Sequence, residues 1–464
     1  MGRGLPDGRR RIGDAASRPV SAASVAVFRM AFGLGMVINA LLYAPVLARQ
    51  YYIEPEVNFP YGSLTFVPPP PAFGVYVLYV SMMVTGILIA LGLWYRIAAA
   101  VFFVATTYVF LLDSSYFQNH EYLISLLALM LVILPVDRYW SIDARRHPER
   151  WSRTVPAWVV WLLRFQIGIP YFYGGIAKLN SDWLQGEPLR RWLSWRTDIE
   201  PMATILTTEW VVWFMTYGAL VLDLAVVWLL LCRPTRLAAF AVVTCFHLLN
   251  VWLFGLYIFP WLMIAATTIF FDPSWPEDLA RRFSLGRLGA AIRRHMPATS
   301  TVTGGETVVP EPAHGRTSRF VVSFFAVWLA LQVAVPFRHY AIAGSPNWTE
   351  NGHRFAWHMK LRDKHGTVTF HVTKDGETWQ VDPAEYLGDK QLQRLPGYPD
   401  RLVHFARFLS DQHGGAEVTA ETMVSMNGRE PQPIVDPTVD LSAVGTVWFR
   451  TPSWIVPLEQ PLRR

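Results

Sequence analysis

The chain has 464 residues, 52% of them hydrophobic and only 16% charged, with 20 Trp, 28 Phe and 18 Tyr. Soluble domains carry nearer a quarter charged residues, so this balance excludes an ordinary cytosolic enzyme, and so large an aromatic content suits membrane interfaces. The net charge of +6 gives no reason to propose nucleic acid as a partner, and two cysteines in apolar stretches, Cys232 and Cys245, leave no disulfide framework or thiolate metal cluster.

Apolar runs recur through the first three-quarters of the chain. Their lengths predict helices at about 22–47, 73–93, 97–112, 121–136, 157–178, 210–231, 236–253, 257–271 and 319–337. The first run follows Arg9, Arg10 and Arg11 and is too long for the apolar part of a signal peptide, so it reads as a retained anchor. Orientation follows from the Lys/Arg bias of the loops. Basic residues gather in the N-terminal tail, in the loop from Arg138 to Arg153, at Arg233 and Arg236, and from Arg281 to Arg316. Nine crossings put all four segments on one side, the cytoplasm. The loops Tyr51–Pro71 and Asp113–Asn119, on the other side, contain no Lys or Arg.

After Phe337 the chain turns polar, with Gly/Pro turn signals and alternation such as Thr367-Val368-Thr369-Phe370-His371-Val372, and one helix is expected near Pro399–Gln412. The expected fold is therefore an α-helical polytopic membrane protein of about nine helices with a C-terminal extracytoplasmic β-rich domain. Its organisation reads as a cytoplasmic basic tail over 1–21, a membrane-embedded catalytic unit over 22–337 and an outer unit over 338–464 that meets substrate or partner. The Thr/Gly/Pro-rich stretch near 297–315 reads as a disordered loop inside the membrane unit.

Ionisable groups at membrane depth are costly and are functional candidates by default. Lys178 closes the fifth helix, with Tyr171, Gly174 or Gly175 on the same face. Two glycines leave room for another helix or a flat ligand. A desolvated lysine there would titrate low and serve as a neutral base. Asn119 and His120 open the fourth helix, and His247 and Asn250 share a face of the seventh. The topology brings all of these to one membrane face, as an acid–base site for a lipid-soluble substrate. Arg164 and Asp223, at comparable depths on the fifth and sixth helices, read as a buried structural ion pair.

These residues sit inside longer strings: Asn119-His120-Glu-Tyr-Leu with Asp137-Arg-Tyr-Trp-Ser-Ile-Asp143; Tyr171-Phe-Tyr-Gly-Gly-Ile-Ala-Lys-Leu-Asn-Ser-Asp-Trp183; Phe246-His-Leu-Leu-Asn250 with Phe259-Pro260; Asn347-Trp-Thr349; and Val424-Ser-Met-Asn-Gly-Arg429 leading to Asp436-Pro437. From about Phe28 to the C-terminus, and in order, the chain resembles the vitamin K-dependent gamma-glutamyl carboxylase family, in a bacterial-type form. The resemblance implies a lyase that couples epoxidation of vitamin K hydroquinone by O2 to carboxylation of protein glutamate with CO2, without a metal. It implies Lys178 as the base that deprotonates the hydroquinone, with Asn119 and His120 orienting it and stabilising charge. Tyr171, Gly174, Gly175, His247 and Asn250 would line the quinone site. A lysine is far too weak to deprotonate a glutamate γ-carbon, so quinol oxidation must supply the stronger base, in a pocket that excludes water. Partners implied are membrane lipid, the reduced quinone and a glutamate-containing peptide or protein, engaged through the C-terminal unit. Two departures stand out: vertebrate members carry a second lysine where this chain has Ala177, and their lumenal disulfide has no counterpart here.

Three other readings compete. One is a quinol epoxidase or oxidoreductase on the same scaffold without carboxylation. Another is a b-type haem protein with His120 and His247 as axial ligands. The last is a transport or binding protein whose outer unit is the functional part.

Overall fold

Runs of apolar residues in a low-dielectric setting must satisfy their own backbone, and the helix does so within one segment. The computed structural model describes residues 15–43, 47–62, 67–195, 202–283, 319–445 and 450–462; the basic residues Arg3 to Arg11 and the 297–315 stretch lie outside them. Every predicted helix is present among the described residues: α1 (Ala23–Tyr43), α2 (Ala72–Leu91), α3 (Tyr95–Leu112), α4 (Asn119–Ile133), α5 (Ala157–Ala177), α6 (Glu209–Leu231), α7 (Arg236–Phe254), α8 (Ile258–Thr267) and α9 (Arg319–Phe337). Six of them, α1, α2, α3, α6, α7 and α9, are long and apolar enough to cross a membrane. The helices α4 and α8 are shorter, and α5 carries Pro170 in its interior and is buried along most of its length.

Small residues set the helix spacing. A Cβ on Gly33 of α1 would lie 2.5 Å from the Gly86 carbonyl oxygen of α2, so these helices touch backbone to backbone. Gly92 ends α2 in the left-handed region (φ 64°), where glycine closes a helix without strain. The fully buried Arg29 then donates to the carbonyls of Ile89, Ala90, Val136 and Trp140, capping chain ends that hydrocarbon cannot solvate. A short antiparallel pair, β1 (Pro19–Ser21) with β2 (Thr154–Pro156), ties the entry of α1 to the entry of α5.

The C-terminal region has its own core. Strands β3 (Lys364–Lys374), β4 (Glu377–Val381) and β5 (Glu417–Met426) form an antiparallel sheet in the order β4-β3-β5. The alternation read from sequence buries Phe370 and Val372 of β3 against Val418 and Ala420 of β5. The short helix α10 (Asp389–Arg394) leads to α11 (Pro399–Gln412), which spans the predicted residues and covers this sheet face, with Phe405 4.9 Å from Phe370 between ring centroids. Sheet is the smaller part of the region: the described strands are three, and turns and irregular chain make up much of the rest.

Candidate functional site

A cavity of about 950 Å³ lies between the helices and the C-terminal region. Its floor is built by α4 to α8 and its roof by the loop Glu350–Lys364 and the start of α11. Asn119, His120, Tyr171, Lys178, His247 and Asn250, separated by as many as 131 positions in sequence, all line it.

On the floor, Lys178 caps α5 and its Nζ donates to Asp223 Oδ2 at 2.5 Å, with a longer bond to Gly174 O at 3.3 Å. Both partners of the pair are almost fully buried, and the ammonium lies 5.1 Å over the Trp183 ring. This corrects the expected Arg164–Asp223 pair. Arg164 instead donates to the carbonyls of Ile269 and Phe271 just beyond α8, where a helix end leaves acceptors without partners. Packing decides the register: Gly168 faces Val227, and a Cβ on Gly175 would sit 2.7 Å from Leu224 Cδ2, so Asp223 arrives beside Lys178 rather than Arg164. Gly174 and Gly175 therefore face α6, and Gly174 also faces Met359 of the roof; neither lines the cavity, as a quinone-binding role requires.

Beside the pair, Tyr171 Oη and His247 Nε2 are 2.7 Å apart, with Thr267 Oγ1 at 3.4 Å from the same hydroxyl. His120 stacks on Phe259 at 5.8 Å, and His247 meets the same ring edge-on at 6.1 Å. Two imidazoles packed against one phenyl ring, one of them bonded to a tyrosine, make an aromatic slot rather than an axial ligand pair. Asn119 Nδ2 donates to the His358 carbonyl of the roof. Asn250 Nδ2 turns back to Phe246 O on its own helix.

The roof is what sequence reasoning missed. Glu350, Phe355, Trp357 and Lys360 all hold φ between 52° and 66°, a left-handed backbone that L-residues adopt at a cost of about 1–3 kcal/mol each. Packing enforces it: Trp348 and Trp357 are buried, and Phe355 plugs into Tyr61, Phe110, Phe117 and Tyr122 of the helical part. Glu350 binds Arg362 Nη2 at 2.6 Å and Lys364 Nζ at 2.8 Å, and Arg354 binds Asp400 at 2.6 Å. Burial alone would push the Asp400 carboxyl up, but the Arg354 and Arg401 guanidinium groups hold it well below the usual carboxylate range. Burial likewise opposes ionisation of Tyr398, yet Arg362 draws its hydroxyl down to about 8. Burial, with Arg394 nearby, brings Lys390 down to about 8. The one signal in the sequence was density: His353, Arg354, His358, Lys360, Arg362 and Lys364 fall within twelve positions.

Two of the quoted strings meet at the seam. Arg429 grips Asp182 with two bonds of 2.6 and 2.7 Å, and Asn427 Nδ2 adds a third at 2.7 Å. On the far side of the roof, Gln391 bonds Val57 O and Asp113, and Arg394 and Arg401 bond the carbonyls of Ser115 and Ser114.

A family model described as HTTM domain matches residues 17–275, and one described as vitamin K-dependent gamma-carboxylase, lumenal domain, matches residues 317–461. The chain belongs to the vitamin K-dependent gamma-glutamyl carboxylase family. The second match takes in α9 as well as the sheet region, so it begins before the polar boundary read after Phe337. No solved structure matches the chain. Membership brings a vitamin K-dependent carboxylase-like function, and with it vitamin K hydroquinone and a glutamate-containing protein substrate at a membrane.

Proposed function

We propose that this protein is a membrane-embedded vitamin K epoxidase and gamma-glutamyl carboxylase, a carbon–carbon lyase in which Lys178 is the base. The observation that carries the reading is the buried Lys178–Asp223 pair in the wall of a cavity that reaches the lipid-facing surface. Phe214, Val242 and Leu249 line the cavity and are also exposed on the outside of α6 and α7, which suits entry of a flat ring with a lipid tail. Phe246, Phe259 and His120 offer faces for that ring.

The reduced quinone with O2 supplies the strong base that carboxylation by CO2 requires, and the protein supplies position, proton transfer and exclusion of water. The Lys178–Asp223 pair holds one proton between amine and carboxylate. With that proton on Asp223, Lys178 presents a neutral amine to a quinol hydroxyl and takes its proton at Nζ, while the adjacent carboxyl group keeps the new ammonium hydrogen-bonded. Tyr171 and His247 act as a neutral bonded pair that orients ring oxygens, and His120 stacks beside them. Asn119 joins floor to roof through His358, fixing the height of the chamber. The roof cations around Glu350 and Tyr398 suit a glutamate-bearing peptide.

The test is epoxide formation by purified protein in nanodiscs given reduced vitamin K and O2, with a glutamate peptide and labelled bicarbonate in the same tube. Lys178→Ala is expected to lower epoxide formation by about 10²- to 10⁴-fold. Label in the peptide supports the carboxylase reading, and epoxide without label would reduce it to a quinol epoxidase. Folded but inactive wild type would end both.

The proposed topology has nine crossings of a bacterial inner membrane, with the basic tail inside and the C-terminal region outside. In a Cys232→Ala, Cys245→Ala background, a cysteine at the exposed position Glu385 should react with an impermeant maleimide added to intact cells. One at the exposed position Arg146 should react only after lysis; the reverse pattern overturns the orientation.

A further inference from the structure

Resting on that reading, the balance of one cycle sets a problem for an enclosed chamber. Quinol, O2, CO2 and a glutamate C–H become epoxide, water, a new carboxylate and one proton. That proton has to leave a space whose floor is an ion pair and whose roof is crowded with cations.

Three imidazoles stand in file from the roof to the surface. His353 and His358 line the cavity, are nearly fully buried, and have no hydrogen-bond partner at any of their four ring nitrogens. Their ring centroids are 4.8 Å apart, and His339 follows His358 at 4.7 Å, each ring steeply inclined to the next. His339 lies outside the cavity lining, in the turn Arg338–Ala341 after α9, half-buried and next to the exposed Tyr340. Its Nδ1 is 2.8 Å from the Pro336 carbonyl, which can only accept, so Nδ1 carries the hydrogen and Nε2 keeps the lone pair. Gly352 makes the approach possible: a Cβ there would sit 2.7 Å from His339 Cβ.

We propose that His353, His358 and His339 form a proton outlet from the reaction chamber to the extracytoplasmic side. A neutral ring accepts a proton at one nitrogen and releases the one on its other nitrogen. The ring nitrogens of His353 and His358 are not bonded to a neighbouring ring, so a bridging water carries the proton between rings. His339 takes it at Nε2 and gives it up to bulk water, so only N–H and O–H bonds form and break. The groups facing the rings favour passage over storage. Arg362, Lys364 and Arg354 act on His353, whose Nδ1 is 3.9 Å from Glu350; Arg362, Arg338 and His339 act on His358. Burial foremost, then these charges, hold His358 down to about 3 and His353 well below its usual range, so neither ring traps the proton it carries.

His339→Ala is the deciding variant, because a ligand-holding role for the two buried rings gives His339 nothing to do. In nanodiscs with reduced vitamin K, the outlet requires an unchanged first turnover and an unchanged KM for quinol. It also requires steady-state turnover about tenfold lower, a larger solvent deuterium isotope effect, and saturable rescue by imidazole in the buffer. Unchanged turnover, or a raised KM without imidazole rescue, overturns it. A second readout is independent of turnover. In protein labelled with ¹⁵N-histidine, the His358 ring N–H hydrogen should exchange rapidly with water in wild type and slowly in His339→Ala. Slowed exchange in a protein that forms no epoxide would keep the outlet and sink the proposed function; equal exchange in an active enzyme would do the opposite.

Discussion

The floor and roof of the cavity differ in how completely their polar groups are paired. Deep in the floor they come in pairs, Lys178 with Asp223 and Tyr171 with His247. Among the described residues of the floor, only where α4 meets the roof are Asn119 Oδ1 and His120 Nε2 left without a hydrogen-bond partner. On the roof, His353 and His358 have no partner at any ring nitrogen, and Arg362 Nε and Arg401 Nη1 are likewise unpartnered. Solvent explains the contrast. A polar group at membrane depth has no water to turn to and costs several kcal/mol unless bonded within the protein. The roof belongs to the polar half of the chain, where water or a ligand can complete the bonds. The floor is therefore assembled before any substrate arrives, and the roof is where a peptide is selected and a proton moved.

The largest test of this contrast is to unpair the floor. Asp223→Leu alone leaves a buried ammonium and should cost about 3–5 kcal/mol, seen as loss of folded protein in detergent. Asp223→Leu with Lys178→Met should recover much of that stability while remaining inactive. If the double variant is no better folded than the single, the pair is not the floor's anchor. Gly175→Ala comes next: its Cβ would press on Leu224, and about 1–3 kcal/mol of thermal stability should go with it.

The seam gives the smaller, pH-dependent effect. Burial alone would raise the Asp182 carboxyl, but its bonds from Arg429 and Asn427 outweigh this and hold it below its ordinary value. A carboxylate held low in the folded state adds stability above its unfolded pKa, and that contribution fades as pH falls through the folded value. Asp182→Asn should therefore lower stability by roughly 1.5–3 kcal/mol at pH 7. The gap from wild type should close as pH falls below about 4, measured by thermal unfolding in nanodiscs. A constant gap across that range would deny Asp182 its charged role.

The helices were legible because an apolar run of spanning length has few other fates, and Lys178 was legible because lysine is conspicuous at the end of such a run. Its partner was not. Counting residues from apparent helix ends put Asp223 opposite Arg164, whereas the glycine contacts Gly168–Val227 and Gly175–Leu224 slide α6 along α5 and deliver Asp223 to Lys178. The family strings named Asn119 and His120 but not their spatial neighbours, the His358 carbonyl and Phe259. The roof follows no period of 2 or 3.6, because it is a run of turns punctuated by left-handed residues that no hydropathy pattern encodes.

That left-handed segment also bears on how the protein can change. Glycine adopts such φ values freely, so Lys360→Gly would relax the loop at no steric expense. At Lys360 selection for robustness alone would drift toward glycine and would remove an ammonium from the chamber lining, whereas Phe355 and Trp357 are held by packing that outweighs the strain. Lys360, left-handed and in the cavity lining, marks a place where thermal endurance and turnover pull in opposite directions. A directed-evolution screen for heat tolerance alone would be expected to accept Lys360→Gly, and a screen for turnover to reject it.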